Sequence, residues 1–553
     1  MIRRVLALLL ACLATALALA APARAKDELV IGMNQYPGTW HPYFDSMLAR
    51  SLIENMTLRP TTAYDPDWNL ACLLCTGLPT IENGRARVTD LPDGKQGIAV
   101  DWTLPAGVKW GDGTPVTTKD VAFTIEVGKH PQSGVAAAES FRRILKVDIK
   151  DERNYTILTD RITFDYNADG LKLLPAHIER PIFEASPVEY RKKTKYDSDT
   201  TNPGLYYGPY RPVEVVPGSR IVLERNEHWY GKPPYFKRIV FKFIENSAAL
   251  EANLLSGNVD YVIGELGLSL DQALAFEKRH KDRYNVVYKP ALIYEHIDTN
   301  LDNPLLADVR VRRALLMSID RQAISDKLFE GKQPVAHGEV SPLDKMYSPG
   351  VRQYPYDPAA ARKLLDEAGF AEIKNGVRQN TKGERLSLEL TTTAGNRVRE
   401  QVAQVLQSQW RQVGIELRLK AEPPRIFSEA LNRRKFTGLA MYAWVTRPEG
   451  VPVTTLRSDA VPTQENNWAG QNYPGYKSAD MDRTLDAMER ALDRDKRRAL
   501  FAEFQRIYVE DLPVLPLYFR SDAFVLPKEL KGVRPTGHLN SSTLWVEEWR
   551  WEP

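Results

Sequence analysis

Two cysteines, Cys72 and Cys75, form a C-x-x-C pair, the strongest chemical signal in the chain. In a reducing compartment that spacing points to thiol–disulfide exchange or metal ligation. A thioredoxin-like role needs a strand-to-helix turn, whereas Thr61 to Leu74 reads as a loop and a strand edge. A four-thiolate zinc site is ruled out by count, because the third cysteine, Cys12, lies in the apolar amino-terminal run. A mixed site needs histidines that the pattern does not place nearby. Two acidic loops imitate calcium sites. Asp112-Gly113-Thr114 lacks alternating oxygen ligands. Asp65-Pro66-Asp67-Trp68-Asn69 carries Leu70 where a tight-turn glycine belongs and Thr76 where a bidentate glutamate belongs. The eight histidines are scattered, with no two at i, i+4. There is no G-x-S-x-G, Walker A, G-x-G-x-x-G or H-E-x-x-H. The expectation is no catalytic residue, no metal ligand and no cofactor: binding without chemistry.

The amino terminus sets the compartment. Arg3 and Arg4 precede an apolar run from Val5 to Ala20, and Ala23-Arg24-Ala25 is an A-x-A cleavage site, so residues 1–25 read as a signal peptide and the mature chain begins at Lys26. Leu9-Leu10-Ala11-Cys12 is a rival lipobox, but a mature protein starting there would begin with an apolar segment. Export makes a local Cys72–Cys75 disulfide the default. Processing removes three arginines and no acid, so the 74 basic residues fall to 71, equal to the 71 acidic ones. That balance gives no nucleic-acid footprint. A mature chain of this length builds two or three packed units, and no low-complexity linker or repeat separates them.

The elements that must position a binding site follow in order. Glu28 to Met33 is a short buried strand whose carboxyl end leads into Asn34 to Pro42; ligands of open α/β sheets sit at such ends, which makes Tyr36 and Trp40 candidate binding residues, with packing under the loop as the alternative. Thr117 or Thr118 caps a helix. Phe141 to Thr159 is a hairpin around Asp151-Glu152, and Arg180 to Asn202 reads as polar and irregular. Arg211–Val216 and Ile221–Arg225 pair across Pro217-Gly218. Ser247 caps a helix that Gly257 ends. Tyr284–Tyr288 and Tyr294–Asn300 read as two strands. Val311, Ala314, Leu315 and Ile319 share one helical face. Leu386–Thr392, Arg399–Val413 and Ile415–Leu419 form a β-α-β unit, hence a parallel pair with a right-handed crossover.

The order Gly208-Pro209-Tyr210, Arg225-Asn226 to Trp229, strand, helix and Ser256-Gly257-Asn258-Val259-Asp260 resembles the family 5 solute-binding proteins of ABC importers. Trp102–Ala122, Asp308–Gly338, Tyr356–Gly369 and Pro513–Phe519 are similar to further motifs of that family. The resemblance implies an α/β, two-lobed periplasmic binding protein (type II, cluster C-like) with an extra small subdomain in the first lobe. It implies lobe I from 26–57, 203–290 and 515–553, the subdomain from 58–202, and lobe II from 291–514. It also implies a monomer in the periplasm that captures a peptide or peptide-like solute by hinge closure and passes it to an inner-membrane ABC permease with its ATPase subunits. Binding of nickel, a metal chelate or another non-peptide anionic solute, service to a chemoreceptor and an enzyme in the cleft are the alternatives; against nickel, only His41 and His296 fall near the expected cleft. In peptide-binding members a "GWxxD" strand flanks the peptide and its Asp pairs with the free amino terminus. Here the strand reads Ala443-Trp444-Val445-Thr446-Arg447. Arginine's planar fork suits a carboxylate or phosphate, so the expectation is a ligand with an anionic or blocked end. Two alternatives stay open: Glu449 takes over the amine, or Arg447 pairs with a lobe carboxylate such as Glu422.

Overall fold

The computed structural model describes residues 26–44, 47–136, 138–244, 246–465 and 470–552. The expected signal peptide, residues 1–25, and with it Cys12 lie outside the described residues. Ten strands form one sheet: β1 (Glu28–Met33), β2 (Tyr210–Val216), β3 (Arg220–Arg225), β4 (Arg238–Phe243), β5 (Tyr261–Val262), β6 (Tyr284–Thr299), β7 (Ser387–Thr393), β8 (Glu416–Glu422), β9 (Leu439–Val445) and β10 (Val514–Pro527). Their order across the sheet is β8-β7-β9-β6-β10-β5-β1-β4-β3-β2.

Sequence explains most of these neighbours locally. Gly218, at φ +68°, makes the turn that pairs β2 with β3 antiparallel. The β7–helix–β8 unit gives the parallel pair that its order demands, and the helix between them, Arg397–Gln412, buries Val402, Leu406 and Trp410. Gly208 sits against the end of the Leu48–Thr57 helix, where an added Cβ would lie 2.4 Å from the Thr57 carbonyl carbon; only glycine fits that approach.

The molecule has two lobes, and β6 and β10 run through both. β6 pairs with β10 along most of its length and with β9 at its carboxyl half, while β10 reaches β5 at its far end. One lobe is therefore β5-β1-β4-β3-β2 with its helices, the other β8-β7-β9 with its helices, and the crossing strands belong to both. A third body, a separate sheet of the strands Ala86–Asp90, Gln96–Thr103, Asn154–Thr159 and Ile144–Ile149, has its own core around Trp102, Trp110, Phe123 and Tyr155.

Three details differ from the sequence expectation, and a fourth is one that the sequence left open between two residues. Tyr284–Tyr288 and Tyr294–Asn300 are one strand, with an irregularity between Pro290 and Tyr294. Proline cannot donate to the ladder there, yet pairing resumes beyond it. The cap of the Ser247–Leu255 helix is Asn246, whose side chain accepts from the Ala249 amide, rather than Ser247. Arg180 to Asn202 is mostly helical: Ala176–Ala185, Tyr190–Lys193 and Lys195–Ser198 form because Phe183, Tyr190 and Tyr196 bury their rings in the third body, overriding a polar average. Of Thr117 and Thr118, Thr117 is the cap, in a capping box with Asp120.

Among the described residues no helix is long and apolar enough to cross a membrane.

Candidate functional site

β9 ends in the segment expected to meet ligand. Its antiparallel register on β6 sets Trp444 opposite Tyr294, Tyr442 opposite His296 and Ala440 opposite Asp298. Opposed residues point to one face and alternate along the strand, so Tyr294, His296, Asp298, Tyr442 and Trp444 share a face. Ala443 and Val445 lie on the other. Val445 is exposed, and Ala443 stands over Glu295. That glutamate is fully buried between Arg399, at 2.5 Å, and Arg520, at 2.7 Å. Burial pushes its carboxyl up, but the two guanidiniums outweigh that and hold it below its ordinary value.

Trp444 is half-buried, stacked on Tyr473 at 6.0 Å and edge-on to Tyr442. Beneath it is a cavity of about 10 Å³, room for one water-sized group, lined by Tyr294, His296, Asp298, Glu339, Trp444 and Tyr508 among others. His296, 1% exposed, has Nδ1 3.0 Å from the Tyr294 carbonyl. Its Nε2 lies 3.4 Å from Asp298 Oδ1 without hydrogen-bonding geometry. Asp298 accepts from the Tyr442 hydroxyl through its other oxygen. Burial, with Asp298 adding to it, pushes the Glu339 carboxyl up to about 7.

Arg447 is paired with Asp165 of the third body. Glu422 is engaged by Lys420, and Glu449 by Arg494 and Arg497. Arg447 thus pairs with a carboxylate, though with Asp165 and not with Glu422, and the expected free cation awaiting a ligand anion is neutralised here. Burial raises the Asp165 carboxyl, but Arg447 beside it brings the net shift below the ordinary value. The same junction includes the Phe164 amide on the Glu489 carbonyl at 2.8 Å and the Arg497 guanidinium 4.5 Å over the Phe164 ring. Lys345 also reaches Asn69.

Tyr36 and Trp40 are half-buried at the carboxyl end of β1. Tyr36 meets Phe243 edge-on at 4.7 Å, and the Trp40 amide donates to Asp197 at 2.7 Å. Trp40 packs against two cores. Packing under the loop is thus what the contacts of both residues describe, whereas Arg447 meets Asp165. His41 is fully buried, stacked on Phe44 at 3.7 Å with Nε2 3.1 Å from the Tyr190 hydroxyl, so it faces a core rather than a groove. Cys72 and Cys75 are joined as a disulfide. Asp112 meets His177 and the Thr114 amide, and Asp65 accepts from the Asp67 and Asn69 amides; both are turns. Asp165 and Glu339 carried no sequence signal, whereas His296 and Asp298 stand in the stretch Tyr294–Asn300 that the sequence reads as a strand.

The fold and this arrangement define a two-lobed solute-binding protein. The model of the bacterial extracellular solute-binding proteins, family 5 Middle, matches residues 94–460, and the chain belongs to that family. The oligopeptide-binding protein AppA of Bacillus subtilis is 25% identical over 537 residues, covering 94% of this chain and 91% of AppA. Among solved structures, the oligopeptide-binding protein from Thermus thermophilus complexed with a pentapeptide superposes with a TM-score of 0.74 at 30% identity, covering 95% of this chain and 96% of that one. NikZ from Campylobacter jejuni in complex with Ni(L-His) superposes with a TM-score of 0.74 at 23% identity, over 95% of this chain and 99% of that one; at that identity the likeness is one of fold alone.

Proposed function

We propose that this protein captures a peptide or peptide-like solute between its lobes and delivers it to an ABC permease in the inner membrane, acting as a monomer in the periplasm after its signal peptide is removed. It binds and releases; it carries out no reaction. The observation that carries this reading is the way the lobes are joined. β6 and β10 are their ordered link, and the end of β9 with Trp444 and Arg447 meets Asp165 of the third body. A hinge at the crossing strands lets the lobes part and close on a ligand. We place the hinge near the irregularity between Pro290 and Tyr294, and assign lobe I to 26–57, 203–290 and 515–553, the extra subdomain to 58–202 and lobe II to 291–514.

The pentapeptide held by the Thermus relative supports a peptide ligand. So does the half-buried Trp444 on a strand end, where an extended peptide gains main-chain hydrogen bonds and aromatic contact. Tyr36, Trp40, Ala443, Trp444, Val445 and Arg447 remain the proposed ligand contacts, with Tyr36 and Trp40 contributing only after the junction opens. The test is mass spectrometry of ligands co-purified with protein made in its own host, followed by calorimetry of the compounds found. Peptides in the bound fraction support the reading; metal chelates or sugars in their place overturn it.

A further inference from the structure

We infer that the hairpin loop from Asp65 to Asn69 is a clamp on the hinge, with Trp68 as a positioning residue that sets how readily the lobes part. The inference rests on the hinge-closure reading and names the element that governs the motion.

The loop joins two short strands, Thr62–Tyr64 and Leu70–Cys72, which pair antiparallel. Its base is fixed to the third body. The Leu73 and Leu74 amides donate to the Thr61 carbonyl, Leu74 and Cys75 lie in that body's core, and Cys75 is bonded to Cys72. The Trp68 amide closes a turn on the Asp65 carbonyl at 2.9 Å, and Trp68 itself takes φ +62°. Hairpins ordinarily put glycine at such a position, and a left-handed backbone is uncommon for a bulky side chain. The turn therefore gives no reason for a tryptophan. Residues persist in such backbone states where their surroundings over-determine them, so the reason lies in what the ring touches.

Trp68 is 6% exposed, and its contacts are outside its own hairpin. Its Nε1–H donates to the Thr536 carbonyl at 2.7 Å, and the Lys289 ammonium stands 5.7 Å from its ring centroid. Lys289 is the residue of β6 just before Pro290, where the ladder with β10 lapses until Tyr294. Inside that gap the Leu292 amide donates to the Gly537 carbonyl at 2.7 Å, and the Leu292 carbonyl accepts from the Thr446 amide at 2.8 Å. Thr536 and Gly537 are neighbours, so the segment that Trp68 holds is the one that stands in for β10 at the irregularity. His538 Nε2, 3.0 Å from the Asp65 carbonyl, and the Tyr64 amide, 3.0 Å from the Asn540 side-chain oxygen, fasten the rest of that segment to the hairpin. At its far end the loop meets lobe II, where the Lys345 ammonium donates to the Asn69 side-chain oxygen. One loop of five residues thus touches β6 at the hinge, the carboxyl-terminal segment and lobe II. Parting the lobes breaks the Lys345 contact and turns the hinge segment against a ring held from two sides.

The experiment is single-molecule energy transfer on the full mature protein without added ligand, with dyes on Ser219→Cys in one lobe and Lys363→Cys in the other, both exposed positions. Wild type should exchange between a closed and an open form. Lys345→Met, which removes only the contact with lobe II, should raise the opening rate by about three- to tenfold, the worth of one net hydrogen bond, and leave the melting midpoint unchanged. Trp68→Phe, which keeps a ring but loses the donor to Thr536, should raise the opening rate by a similar factor. Opening rates unchanged in both folded variants overturn the clamp whatever the midpoints do, because a lower midpoint alone marks a purely structural loop. A rate change in Lys345→Met alone overturns the role of Trp68. If Trp68→Phe does not fold, Lys345→Met decides. A wild type that stays in one form overturns the clamp, and if it also stays so with the ligands eluted from protein made in its own host, hinge closure falls with it.

Discussion

Glu339 carries a charge that changes near neutral pH. Its carboxyl is pushed up to about 7, and the titratable groups around it are His296, Asp298, Tyr294 and Tyr508. A carboxyl whose folded pKa lies above its unfolded value contributes stability that is present at low pH and lost as pH rises through about 7. His296 works in the same direction: burial lowers its pKa, but Asp298 outweighs that and the net shift is upward. The melting midpoint of the unliganded protein should therefore fall between pH 5 and pH 8, and Glu339→Gln should flatten that slope; calorimetric scans at four pH values decide it. The Arg447–Asp165 pair behaves differently. It is part-exposed, at 37% and 24%, so a double-mutant cycle with Arg447→Gln and Asp165→Asn should give a coupling of no more than about 1 kcal/mol. A coupling of several kcal/mol would mean that the junction is a dominant lock.

At the scale of elements, the triad on the other face of β6 ties three pieces together. Glu295 stands on β6, Arg520 on β10 and Arg399 in the Arg397–Gln412 helix. Glu295→Leu leaves two guanidiniums facing an apolar side chain and should destabilise by roughly 3–5 kcal/mol, read as a shift in urea midpoint. A basic residue outside the groove shows the opposite economy of position. Arg312 is buried and donates to the Leu306, Ala307, Asp511 and Leu512 carbonyls, while Arg310 is an exposed partner of Asp308. Arg312→Met should lower the melting midpoint clearly, because unpaired buried acceptors cost roughly 1–3 kcal/mol, and Arg310→Met should leave it unchanged.

For the whole molecule, closure around a ligand makes two linked predictions. Saturating ligand should compact the protein in small-angle scattering, and at about 100 times Kd should add roughly 2.7 kcal/mol of stability. A stabilising ligand that produces no compaction from the open form would count against hinge closure. Two crossing strands, rather than a flexible tether, set the path of that motion, so substitutions between Pro290 and Tyr294 should alter the rate of closure more than the affinity of the closed form.

Local rules in the chain determined a great deal: the β2–β3 turn at Gly218, the Thr117 and Asp357 caps, the parallel β7–β8 pair and the buried face of Val311, Ala314, Leu315 and Ile319. Each depends on residues a few positions apart, and together with the motifs they indicated the family and the two-lobed fold. The tertiary structure alone decided what crosses long distances. Tyr284–Tyr288 and Tyr294–Asn300 read as two strands, yet β10 carries one ladder past Pro290 between them. Arg447 finds Asp165, 282 residues away, because the third body is brought against lobe II. Glu339, in a loop without periodicity, becomes a cavity carboxylate because β6 and β9 present Asp298, His296 and Trp444 beside it. Such pairings follow from the packing of whole bodies, and a residue type or spacing holds no record of which distant surface will be desolvated against it.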